Sequence, residues 1–118
     1  MATIMDIEAL YQRGFELRCE GRYGEAREEL QKVLAVEPFH ANARWQMGLI
    51  QGFEGDFDGS LSTLQQIVAE NPKHEKAIYD LAMTEMMLGM IDEAKMHFEL
   101  VVQLNPTNED AFRQLAYF

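Results

Sequence analysis

The chain has 118 residues, 47% of them apolar, and 20 acids against 10 Lys and Arg, for a net charge of −10. That apolar share suits one folded domain rather than a disordered chain. The charge is spread as −3, −2 and −5 over residues 1–40, 41–74 and 75–118, which argues against a nucleic acid or an anionic membrane surface as partner and leaves a basic or apolar one.

Apolar residues recur at three- and four-residue steps throughout, the spacing of helices and not of strands. Leu10, Gly14 and Leu17 predict a first helix over about 7–20, closed by Gly21. Ala26, Leu30, Val33 and Leu34 predict a second over about 24–36, with Gly24 a weak start and Pro38 the stop. Trp45, Met47, Gly48 and Leu49 place a third over about 41–54, ended by Gly55. Leu61, Leu64, Ile67 and Val68 place a fourth over about 58–70, with Asp58 as N-cap or first-turn acid and Pro72 beyond its end. Ile78, Leu81, Ala82 and Glu85 give a fifth over about 75–88, ended by Gly89. Ala94, Phe98, Val101 and Val102 give a sixth over about 92–104, with Asp92 at its start and Pro106 after it. A last helix is expected over about 108–118.

This punctuation is periodic. Pro38, Pro72 and Pro106 stand 34 residues apart, as do Gly21, Gly55 and Gly89, and Gly14, Gly48, Ala82 and Ala116. A fixed period of this length marks stacked supersecondary units. The units run 7–40, 41–74 and 75–108, followed by a partial unit 109–118, and the whole of 1–118 is expected to form a single domain. Linkers this short make neighbouring helices antiparallel.

The interval and the residues at it resemble the tetratricopeptide repeat. Met47-Gly48 and Leu81-Ala82 fill that family's Leu-Gly or Leu-Ala place, and Gly21-Arg22-Tyr23, Gly55-Asp56-Phe57 and Gly89-Met90-Ile91 its turn. Ala26, Ser60 and Ala94 fill the small site of the second helix, and Leu30, Leu64 and Phe98 the large site one turn later. Arg13, Arg44, Gln51 and Glu85 depart from the pattern, each where an apolar or aromatic residue is usual. The resemblance implies an all-α, right-handed solenoid of three repeats plus a terminal helix, with the first helices lining a concave groove. It implies groove-facing positions at Glu8, Tyr11, Phe15 and Arg18, at Asn42, Trp45, Leu49 and Gly52, at Lys76, Tyr79, Met83 and Met86, and at Asp110, Arg113 and Tyr117.

Tyr11, Trp45 and Tyr79 thus form an aromatic row, open to either a structural or a binding role, and Phe15, Leu49 and Met83 make the groove apolar. Met83, Met86, Met87 and Met90 fall within eight residues, and thioethers suit either core filling or adaptable apolar binding. Some members of the family grip acidic tails of heat-shock proteins with Lys, Asn and Arg. The matching places here hold Tyr11, Phe15, Gln46, Lys76 and Asp80; only Lys76 agrees, and Asp80 would repel a carboxylate, so that activity is not expected. Metal binding by His40 and His74, by Glu93 with His97, or by the methionines has little support. Cys19 has no partner for catalysis or for an internal disulfide, and no phosphate-binding loop or Ser nucleophile motif is present. No cofactor is expected.

The expectation is a non-enzymatic interaction module that holds an extended or helical apolar segment of a partner, as an adaptor or chaperone-like protein. The alternative is a scaffold that assembles with itself, and two adjacent aromatics, Tyr117 and Phe118, are the candidates for weak self-association. With no signal-peptide pattern in MATIMDIEAL, no membrane-spanning apolar run and a single cysteine, a cytoplasmic setting is expected.

Overall fold

The computed structural model describes residues 4–118, and among them the chain forms seven helices and no strand. They are α1 (Ile4–Cys19), α2 (Tyr23–Val36), α3 (Ala41–Phe53), α4 (Phe57–Glu70), α5 (Glu75–Met87), α6 (Ile91–Leu104) and α7 (Glu109–Leu115). The fold is an all-α helical-repeat solenoid. Helices α1 and α2, α3 and α4, and α5 and α6 pack as pairs, and each second helix packs on the first helix of the next pair. The first helices α1, α3 and α5 also touch one another in series.

The turns are built from backbone geometry that the sequence period supplies. Gly21, Gly55 and Gly89 have φ of 78°, 85° and 78°, a left-handed conformation that only glycine adopts cheaply. Beyond each, the next N–H reaches back over the glycine: Arg22 to Leu17, Asp56 to Gln51 and Met90 to Glu85, at 2.8–2.9 Å. These bonds satisfy carbonyls that a helix end leaves open. After each second helix the proline-containing loop ends on a cap. His40 Nδ1 accepts from the Ala43 N–H at 3.0 Å, His74 Nδ1 from Ala77 at 3.1 Å, and Asn108 Oδ1 from Ala111 at 3.0 Å. The histidine pair is therefore structural punctuation of the first helices, the imidazole doing what Ser or Asp usually does.

Close crossings sit at the small residues. A Cβ on Gly14 would lie 2.8 Å from Leu30, and one on Gly48 3.2 Å from Leu64. Ala26, Ala82 and Ala94 are fully buried, and buried Ser60 donates its hydroxyl to the Gly48 carbonyl at 2.9 Å. The core is a string of three apolar clusters, led by Leu30 and Ile50, by Leu64 and Ile67, and by Phe98 and Val101.

Several expectations change in detail. Of the two roles open to the acids at the starts of α4 and α6, Asp58 and Asp92 take that of first-turn acid, and the N-cap positions are held by Asp56 and Met90. Helix α2 begins at Tyr23, ahead of Gly24. The last helix stops at Leu115, and its buried contact is Ala111, with Phe112 half exposed and Ala116 exposed. The four departures from the repeat pattern exchange apolar contacts for polar ones. Arg13 pairs with Glu29 at 3.6 Å, buried Arg44 pairs with Glu70, and Gln51 accepts from the Thr63 hydroxyl at 2.7 Å. Glu85, almost fully buried, meets His97 Nδ1 at 2.6 Å. His97 is thereby engaged across the helix pair rather than with Glu93, and among the described residues no group of three His, Cys, Asp or Glu could hold a metal ion.

Candidate functional site

The face made by α1, α3 and α5 carries the aromatic row, and a ladder of side-chain bonds explains its half-buried state. Gln46, Asp80 and Gln114 also stand 34 residues apart, one first helix further on. Gln46 Nε2 donates to the Tyr11 hydroxyl at 3.5 Å, Trp45 Nε1 donates to Asp80 Oδ2 at 2.6 Å, and Gln114 lies beside the Tyr79 hydroxyl. Two of the rings rest on the next capping histidine, Tyr11 on His40 with centroids 5.4 Å apart and Trp45 on His74 at 5.9 Å. Tyr79 instead meets Phe98 edge-on at 5.6 Å. Each aromatic thus fixes one unit against the next and still offers a partly open ring. Burial raises the hydroxyl pKa of both Tyr11 and Tyr79, so both stay neutral donors or acceptors at ordinary pH.

Beside the row, Leu49, Phe53 and Phe57 face Tyr79, Met83 and Met87 across a cleft of about 500 Å³, with Gly48, Gly52, Ser60 and Leu64 in its wall. Gly52 helps to keep this cleft open because it has no side chain. A second cleft of about 260 Å³ lies on the other side of Tyr79 and Asp80, bounded by Trp45, Glu75, Lys76, Asn108 and Asp110. Here Lys76 Nζ sits over the Trp45 ring, 5.5 Å from its centroid. Burial pushes the Asp80 carboxyl above its ordinary 3.8, against the Trp45 hydrogen bond and the nearby charges of Arg18, His74 and Lys76.

The structure brings Trp45, Leu49, Tyr79 and Met83 into these two clefts together with Lys76. Tyr11, Phe15 and Arg18 form the part of the face that α1 contributes. Arg18 lies over the Phe15 ring at 5.3 Å and donates to Gln46 Oε1. Asn42 is exposed on the first turn of α3. Met86 belongs to a separate cleft of about 430 Å³ with Ile91, Asp92, Lys95, Tyr117 and Phe118. Tyr117 is 77% exposed, but Phe118 folds back to within 5.9 Å of the Phe98 ring and is only 39% exposed. Phe53, Phe57, Met87 and Asp80 are among the lining residues that the groove positions omit. A signal for them exists. Phe53 and Met87 are 34 residues apart, and so are Phe57 and Ile91, which marks one apolar edge where first helices end and second helices begin.

This architecture recurs among solved structures. The first TPR of Spaghetti (RPAP3), solved bound to an HSP90 peptide, superposes with a TM-score of 0.90 at 22% identity, over 98% of this chain and 92% of that one. The type III secretion translocator chaperone SycD of Yersinia enterocolitica gives 0.87 at 17% identity, over 98% and 92%. MamA of Desulfovibrio magneticus RS-1 gives 0.84 at 26% identity, over 95% of this chain and 63% of that one. No curated protein matches the chain in sequence. Two family models described as tetratricopeptide repeat match it, one over residues 7–40 and one over residues 54–116. On these matches and on its repeated helix pairs, the chain belongs to the tetratricopeptide repeat family, whose domains are protein-interaction modules.

Proposed function

We propose that this chain is a non-catalytic binding module that holds an apolar segment of another protein, extended or helical, in the groove of its first helices. The three helix pairs and α7 act in this as one domain. The observation that carries the reading is the cleft between α3 and α5, where seven large apolar or aromatic side chains surround about 500 Å³. Phe53 and Met87 in its wall are 57% and 63% exposed, an apolar surface that a soluble chain keeps for a partner. Similar folds that take an HSP90 peptide, or serve as a translocator chaperone, fit an adaptor or chaperone-like role. Acidic tails are not the favoured ligand here, since Asp80 faces the groove and the chain carries −10 overall. No described helix is long and apolar enough to cross a membrane, which accords with a cytoplasmic role. The test is capture of partners from a lysate by the parent and by a Met83→Ala, Tyr79→Ala double variant that retains its helical circular dichroism. Partners lost by the variant support the groove, and an identical set from both proteins refutes it.

A second reading has its own observation. Tyr117 and Ile91, 77% and 49% exposed, line the cleft of about 430 Å³ at one end of the solenoid, and Phe112 of the last helix is 50% exposed. That end suits contact with another copy, as in a scaffold that self-assembles.

A further inference from the structure

The two clefts of the first-helix face share a wall, and that wall is Tyr79 and Asp80. On one side lie Leu49, Phe53, Phe57, Met83 and Met87; on the other lie Trp45 and the polar side chains Glu75, Lys76, Asn108 and Asp110. The acids on the polar side differ in how they are compensated. Glu75 accepts hydrogen bonds from Asn105 and Asn108, the shortest at 2.7 Å, and Asp110 pairs with Arg113 at 3.1 Å. Among the described residues the Asp80 carboxylate accepts one hydrogen bond, from the Trp45 indole, and the charges of Arg18, His74 and Lys76 act on it only at longer range. Among the described residues no Lys, Arg or His approaches its carboxylate within 4.0 Å. Lys76, the nearest lysine in sequence, is engaged over the Trp45 ring instead.

Asp80 is thus a part-buried carboxylate that has lost much of its water without gaining an ion pair, a costly state that an incoming cation relieves. A ligand cation at that point also meets an acidic chain, which favours encounter. We propose that the groove binds a peptide segment carrying a lysine or arginine beside large apolar side chains, with the cation received by Asp80 and the apolar side chains by the cleft of Leu49, Phe53, Phe57, Met83 and Met87. The proposal rests on the groove reading above and names its ligand class. The apolar side chains supply most of the affinity, and the cation fixes register and excludes acidic segments.

The experiment is selection from a library of random peptides displayed on phage, carried out on the parent chain and on Asp80→Asn, which keeps an acceptor for the Trp45 indole. The parent enriches peptides with Lys or Arg next to apolar residues, and Asp80→Asn enriches apolar peptides without the cation. A synthetic peptide from the parent selection binds Asp80→Asn at least about tenfold more weakly, and its parent affinity falls with added salt. Replacing the peptide's lysine or arginine by norleucine gives the same loss on the parent protein, which tests the ion pair without touching the fold. Selection of uncharged apolar peptides that bind parent and Asp80→Asn equally overturns the proposal and leaves the groove reading standing. Failure to select any peptide, selection of peptides insensitive to both Leu49→Ala and Met83→Ala, or light scattering that shows a second copy occupying this face overturns both.

Discussion

Glu85 stands where the repeat pattern expects an aromatic ring, and its environment makes a testable contribution to stability. Burial is the largest influence on its carboxyl and raises it above 4.5; Glu93 nearby adds to the rise, and the bond to His97 opposes it. The folded state therefore holds the proton more tightly than the unfolded chain. Its contribution is fully present below the unfolded value and is lost as pH rises from about 4.5 through the raised folded value. Urea unfolding of the parent across that window, compared with Glu85→Gln, should show the parent losing stability relative to the variant as pH rises. Parallel curves would mean that Glu85 titrates alike in both states. Tyr79 offers a second test on the same helix. Its ring is half open to the clefts and half packed on Phe98, so Tyr79→Ala should weaken a bound peptide by about 2 kcal/mol if it anchors one. Met83→Ala, on the apolar side, should weaken the same peptide with a smaller change in thermal stability. The aromatic row was legible in the sequence because its chemistry repeats at 34 residues. The ladder that ties it was not, because Gln46, Asp80 and Gln114 repeat in position but not in residue type, and Gln46 and Asp80 each bond across 35 residues.

The helices were legible because both kinds of ending are covalent. A glycine at positive φ closes each first helix, and a proline soon follows each second one. The last helix is misjudged because neither signal closes it. Its end is set by three-residue bonds, Tyr117 to Gln114 at 3.1 Å and Phe118 to Leu115 at 3.2 Å, and by the Phe118 ring turning onto Phe98. At the start of α5, His74 caps the Ala77 N–H and carries the Trp45 ring, so His74→Ala should cost about 1 kcal/mol in chemical denaturation. A variant as stable as the parent would show that solvent replaces the cap. At the crossing of α3 with α4, a Cβ on Gly48 already meets Leu64 at 3.2 Å and Thr63 at 3.4 Å. Gly48→Leu should therefore destabilise by about 1–3 kcal/mol, because the helices must separate to admit it. An unchanged melting temperature would place slack at this crossing.

The whole molecule measures 48 × 26 × 22 Å, a rod whose two ends are made by different elements. In a solenoid each unit buries its neighbour's apolar face, so an end is where apolar surface goes uncovered. Here α7 covers α6 mainly through Ala111 and Leu115, while Phe112 faces outward at 50% exposure and Tyr117 at 77%. Phe118 is partly used, since it rests on Phe98, and this separates two residues that look alike in the sequence. The scaffold reading therefore assigns the contact to Tyr117 more than to Phe118. It predicts that light scattering of the chain over a concentration series shows weak self-association, and that Tyr117→Lys reduces it with little change in melting temperature. Phe118→Lys should lower the melting temperature as well, because it removes a ring packed on the core. A parent that stays monomeric at every concentration removes the scaffold reading. Association that survives Tyr117→Lys and is abolished by Phe53→Lys moves the contact from the end of the rod to the cleft of the first helices, in competition with any peptide held there.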